Sequence, residues 1–164
     1  MATYSKEQNP YPRVFLPVSF DYRARIGRNF RLEGRRTVVE FRNSAWIREE
    51  TFDLLRSEGL AFCAVDEPRL RGLVPPLAVV TAPPGYVRFH GRNAAAWWNH
   101  SAADHGAARY DYRYADAELA EWLPRLRQME CAAEPTYVFF NNHTAANAVD
   151  GARRLGELIE AAPT

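Results

Sequence analysis

Four apolar runs in this chain each break off in polar residues, and stretches of helical character lie between them. Thr37–Arg42 (TVVEFR) ends in acid and base, and Leu60–Val65 is closed by Asp66. Tyr86–Phe89 leads into His90-Gly91-Arg92-Asn93, and Pro135–Phe140 is closed by Asn141-Asn142-His143. A strand that is apolar almost throughout is a strand covered on both faces, the usual condition of parallel sheets. Helices are expected over Trp46–Ser57, capped by Ser44 and stopped at Gly59, over Ala115–Ala132 with Asp116 as N-cap, and over Ala145–Ala161. Strand and helix in alternation define a parallel α/β domain. In such sheets the carboxyl ends of the strands carry the site.

The run Tyr86–Asn93 sits at the centre of that pattern. Alternation puts Val87 and Phe89 on one face and Arg88 and His90 on the other. A charge on a buried strand needs a partner or a ligand. Gly91 then permits a tight turn or a close approach before Arg92. A further short run, Val14–Val18, is interrupted by Pro17 and reads as a strand end or edge. Residues 1–13 read as an irregular lead-in and 14–164 as one domain. Residues 21–36 are Arg-rich without a helical stripe, and the proline-rich stretch 67–85 reads as a long loop with one short strand at Leu77–Val80. Residues 93–114, with Trp97, Trp98, Tyr110, Asp111, Tyr112 and Tyr114, have the look of a functional loop.

Composition removes several function classes. With 164 residues, 47% hydrophobic and 25% charged, the chain has ordinary globular composition. The formal net charge of +1 creates no field to recruit nucleic acid. No apolar run is long enough to span a bilayer and no signal core opens the chain, so no membrane partner is expected and the expected compartment is cytoplasmic. Cys63 and Cys131 read as free thiols. Lys6 is the only lysine among 21 basic residues. The bland reading of that surplus of arginine is codon bias in a GC-rich genome; where an arginine ends a strand, its planar fork also suits phosphate or carboxylate.

Further features carry a resemblance. VEFR at 39–42 followed by Trp46, YVRFHGRN at 86–93, Trp97-Trp98, YDYRY at 110–114 with Glu118, Leu119 and Trp122, and YVFFNNH at 137–143 together resemble the DUF72 (YecE-like) family. The likeness runs from about Val14 to the last helix. It implies a TIM-type barrel of uncharacterised function, related at fold level to the endonuclease IV and sugar isomerase group. The family's N-terminal strands have no counterpart here, and Val14–Phe20 resembles its FQLPPSF strand end, with Phe15 for Gln and Val18 for the second Pro. The resemblance therefore implies the C-terminal part of a barrel, an incomplete one. Its open sheet edges would favour self-association.

The strand ends supply a candidate constellation. Glu40, Asp66 and His90 are the candidate proton-handling groups. The alternative for the carboxylates is structural pairing with Arg42, Arg88 or Arg92. No HxH or HExxH spacing supports a metal, so none is assigned, and no cofactor is identified. Arg42, Arg88 and Arg92 are candidate anion binders, with Asn141 and Asn142 as neutral donors and acceptors. Trp97 and Tyr110 form part of a candidate stacking wall, and Asp111 is placed to orient Arg92. These residues predict an enzyme-type pocket for a small anionic ligand, sugar phosphate or nucleotide-like. A truncated inactive remnant or one part of a split protein is one alternative; a module for single-stranded nucleic acid is another, disfavoured by the net charge.

Overall fold

Among the described residues Val38-Val39, β-branched and apolar, open the first strand of a four-stranded parallel sheet whose spatial order follows the chain. The computed structural model describes residues 36–98, 107–142 and 144–162. The lead-in 1–13, the strand expected at Val14–Val18, most of the Arg-rich stretch, His100, Ser101, His105 and His143 lie outside the described residues. The elements are β1 (Val38–Val39), α1 (Glu49–Ser57), β2 (Ala61–Asp66), β3 (Gly85–Phe89), α2 (Asp116–Ala120), α3 (Leu123–Ala132), β4 (Thr136–Phe140) and α4 (Asn147–Ala161). The α/β alternation read from the sequence is the architecture observed.

The register sets the faces. Val38 pairs with Ala61, Cys63 with Tyr86, Val65 with Arg88, and Arg88 with Phe139. These residues, with Glu40 two positions beyond Val38, share one face. Val39, Phe62, Ala64, Asp66, Val87, Phe89 and Phe140 share the other, and the helices pack there. Phe52 of α1 meets Phe62 edge-on at 5.3 Å, and Phe89 stacks on Phe140 at 4.5 Å. Leu119, Trp122, Leu126, Met129 and Leu155 complete that buried layer. A fully buried side chain of this size contributes about 1.5–3 kcal/mol, so this face holds the fold together. On the opposite face Tyr137 and Phe139 are each 47% exposed.

Several boundaries differ from expectation. The stretch expected as one helix over Trp46–Ser57 is a 3-10 turn, Ser44–Trp46, followed by α1. Asn43 rather than Ser44 caps that turn, its side-chain oxygen accepting from Ala45 N at 2.8 Å. Arg48 is extended between the two pieces. Ala115–Ala132 is likewise split into α2 and α3, because Pro124 has no N–H to give the carbonyl of Ala120 and its ring crowds that turn. Ala115, not Asp116, occupies the N-cap of α2, and Glu118 reaches back to accept from its N–H at 2.9 Å. Leu77–Val80 forms no strand; it packs against the core as loop. Thr81, just beyond it, holds the neighbouring strand through Oγ1, donating to Leu60 O at 2.6 Å and accepting from Phe62 N at 2.9 Å.

Candidate functional site

Glu40 lies where β1 leaves the sheet, and three other residues converge on its buried carboxylate. Arg42 Nη1 donates to Oε1 at 2.9 Å, Arg88 Nη1 donates to Oε2 at 2.6 Å, and His90 Nε2 lies 3.2 Å from Oε1. Arg88 Nη2 also donates to Asn141 Oδ1 at 3.1 Å, and Asn141 Nδ2 lies 3.3 Å from His90 Nδ1. One proton assignment satisfies all of these contacts. An ionised Glu40 only accepts, so His90 carries its proton on Nε2 and accepts from Asn141 at Nδ1. Glu40, His90, Asn141 and Arg88 form a closed ring of hydrogen bonds across β1, β3 and β4.

Burial alone would raise the pKa of Glu40. Hydrogen bonding and charge from His90, Arg42 and Arg88 more than reverse this, and the carboxyl falls to about 2. Burial pushes His90 down to about 4, with Arg42 and Arg88 adding to the effect against Glu40, so the imidazole is neutral at pH 7. Burial also works against the charge of Arg42, but Glu40, Glu67 and Tyr110 overcome it and raise the group above its ordinary value. The open face thus presents two guanidinium groups against one firmly ionised carboxylate. A cavity of about 320 Å³ runs along it, lined by Val38, Glu40, Cys63, Tyr86, Arg88, Phe139, Phe140 and Asn141. Burial raises the Cys63 thiol well above its usual value, which leaves it no thiolate character there.

Asp66 was expected to share a pocket with Glu40; the structure places it on the other face of the sheet. Its Oδ1 accepts from Arg92 Nε and from Tyr114 Oη, both at 2.8 Å, and its Oδ2 accepts from Arg92 Nη2 and Trp122 Nε1, both at 2.7 Å. Four donors fill a buried carboxylate that ties β2 to the segment after β3 and to the α2–α3 junction. Arg92 goes with it, and Glu121 Oε2 accepts from its Nη2 at 3.0 Å. Its carboxylate partners are Asp66, Glu118 and Glu121; Asp111, expected to orient it, is exposed and is not among them. Gly91 takes a positive φ of 89° and donates to Tyr114 Oη at 2.8 Å. A Cβ there would lie 2.8 Å from Tyr112 Cβ, so the close approach is to the protein's own loop.

The remaining candidates divide. Tyr110 lies 6.2 Å from His90, ring to ring, and bonds Arg42, so it borders the Glu40 cluster. Trp97 is buried edge-on against Tyr110 at 6.4 Å, and forms the support of that ring. Asn142 is fully buried and donates to Tyr112 O at 2.7 Å, apart from Asn141. Among the described residues no group of three or more His, Cys, Asp and Glu side chains is arranged to hold a metal ion, and no helix is long and apolar enough to cross a membrane.

Sequence reasoning passed over Glu67. It follows Asp66 and precedes Pro68, a context that reads as loop. Alternation nevertheless returns it to the face of Glu40, with 1% of its side chain exposed. Oε1 accepts from Val74 N at 2.8 Å, and Oε2 lies 3.6 Å from Arg42 Nη1 without a hydrogen-bond partner among the described residues. Burial raises its pKa to about 7 despite Arg42 and the Val74 N–H. The signal available was its alternation with Asp66 at a strand end, which sets the two carboxyls on opposite faces.

A parallel β/α sheet with a charged ring at the carboxyl ends of its strands defines the class. The sequence profile of the family described as "Protein of unknown function DUF72" matches residues 13–164, and the chain belongs to that family. It is 32% identical over 130 residues to the UPF0759 protein YunF of Bacillus subtilis (strain 168), covering 75% of this chain and 46% of that protein. Among solved structures it is similar to a DUF72 family protein from Thermotoga maritima, with 36% identity and a TM-score of 0.70, covering 77% of this chain and 47% of the other. A DUF72 family protein from Enterococcus faecalis gives 26% identity and a TM-score of 0.71, over 80% and 50% of the two chains. The chain spans about half the length of the relatives it matches.

Proposed function

We propose that the Glu40–Arg42–Arg88–Asn141 cluster is an enzyme-type pocket for a small anionic ligand, a sugar phosphate or nucleotide-like molecule in size and charge. The observation that carries this reading is Arg88, a guanidinium that lines a cavity at the strand ends while Glu40 and Asn141 hold it in place. Arg88 is 20% exposed and Arg42 15%, which leaves both within reach of a ligand while their geometry is held from behind. Arg88 has N–H donors beyond the two that bond Glu40 and Asn141, in the planar fork that matches a phosphate edge. In this reading Glu40 and His90 orient the arginines, because their pKa values lie far below neutrality, and Asp66 and Arg92 brace the edge from the helical face.

Titration of inorganic phosphate and sulfate into wild type, Arg88→Ala and the surface control Arg153→Ala tests the assignment. Loss of one charge-assisted contact corresponds to about 1.5–3 kcal/mol, roughly 10- to 150-fold in affinity. Arg153→Ala is expected to bind as wild type does. Equal affinities for all three would remove Arg88 from any site.

We also propose that self-association, where it occurs, uses the same open face. Tyr137 and Phe139 stand exposed beside Tyr86 there, with Phe139 stacked on Tyr86 at 5.0 Å.

A further inference from the structure

Two carboxylates compete for one nitrogen at the edge of the pocket. Arg42 Nη1 donates to Glu40 Oε1 at 2.9 Å, and the same atom is the cation nearest Glu67 Oε2, at 3.6 Å. Glu40 has the better share, with Arg88 and His90 as further partners. Glu67 has the Val74 N–H on one oxygen and no hydrogen bond on the other, and that oxygen is buried. The groups that face Glu67 are Arg42 and Glu40, at the end of β1 and just after it, and the Val74 backbone from the loop, while Asp66, next to it in the chain but on the other face, adds a weaker charge. Tyr110 approaches Arg42 from the segment beyond β3. Asp66 is already neutralised by Arg92, so the balance at Glu67 is decided by its share of Arg42.

Resting on the anion-pocket reading above, we infer that oxyanion binding at Arg42 and Arg88 is coupled to uptake of a proton by Glu67, so that the site receives its ligand and a proton together. The physical cause is competition. An oxyanion seated on the guanidinium groups brings further negative charge to Arg42 and weakens the attraction that offsets an ionised Glu67. A buried carboxylate with an unbonded oxygen is costly, and protonation removes the charge. The group titrates near neutrality before ligand arrives, which places the coupling in the accessible pH range. The ligand class that exploits this best is the dianion of a phosphate monoester, whose charge the two arginines alone would leave set against both Glu40 and Glu67.

The probe is sulfate, which takes up no proton itself near pH 7. Calorimetric titrations at pH 7 in two buffers of different ionisation enthalpy report protons taken up per sulfate bound. Wild type is expected to take up a fraction of a proton, at most about one, and to bind up to about tenfold more weakly per pH unit above the midpoint. Glu67→Gln is expected to bind sulfate without proton uptake and with little pH dependence between pH 6 and 8; Glu50→Gln, on the surface, is expected to keep the uptake. Near-UV circular dichroism checks that Glu67→Gln is folded, and Glu67→Asp, which restores a carboxyl, is expected to recover part of the linkage. Binding with no buffer dependence in wild type, or undiminished uptake in Glu67→Gln, overturns the coupling and leaves the anion pocket standing. Absence of sulfate binding in wild type overturns the pocket and the coupling with it.

Discussion

At pH 5 an unfolded chain protonates His90 and leaves Glu67 mostly ionised, and the folded chain does the reverse. His90 titrates near 4 against an ordinary 6.5, so its contribution to stability is present above pH 6.5 and is lost as pH falls through about 4. Glu67 titrates near 7 against 4.5, so its contribution is present below pH 4.5 and is lost as pH rises through about 7. The two slopes oppose one another over the same interval, each by about 2–3 kcal/mol. Wild-type stability is expected to be nearly level between pH 4.5 and 6.5. Urea denaturation of Glu67→Gln should show stability falling on acidification across that interval, and His90→Gln should show it rising. Parallel curves for the two variants would mean that the groups do not hold these protonation states. The sequence made Glu40, Arg88 and Asn141 legible as partners because each ends an apolar run. It did not reveal that Asp66 and Glu67 face opposite ways relative to Glu40. Parity within a strand can be read from the chain; parity between strands depends on the register.

At the scale of elements, α4 crosses β4 closely at one glycine and not at another. A Cβ at Gly151 would lie 2.8 Å from the Phe140 ring, whereas one at Gly156 meets nothing within 4 Å. Alanine is favoured over glycine in a helix by about 1 kcal/mol. Gly156→Ala is therefore expected to raise stability by up to about 1 kcal/mol. Gly151→Ala, which must displace Phe140 or the helix, is expected to lower it by about 1–3 kcal/mol. Thermal melts of both variants decide the point, and a stabilised Gly151→Ala would show that the contact yields easily. The strands and the α/β order were legible because the runs are apolar almost throughout, although only β2 is buried at every position and β4 is only partly buried. The splitting of two expected helices was not. An apolar stripe persists across a break when both pieces pack on the same sheet, as Leu119, Trp122 and Leu126 do on either side of Pro124.

For the whole molecule, the two faces of the sheet have different fates. The helical face is closed by aromatic packing and the saturated Asp66. The face of Glu40 carries the cavity and the exposed rings of Tyr137 and Phe139. If a second copy covers those rings, sedimentation velocity should show a concentration-dependent dimer, and Tyr137→Ser with Phe139→Ser should shift it toward monomer. A wild-type monomer over a wide concentration range would exclude that arrangement. The alternation of faces also has a consequence for how the gene tolerates change. Along Tyr86–His90 adjacent codons serve unrelated demands: Val87 and Phe89 answer to packing, Arg88 and His90 to charge. A saturation library scored once for abundance and once for anion capture should therefore show two interleaved patterns of intolerance, each with a period of two and offset by one residue.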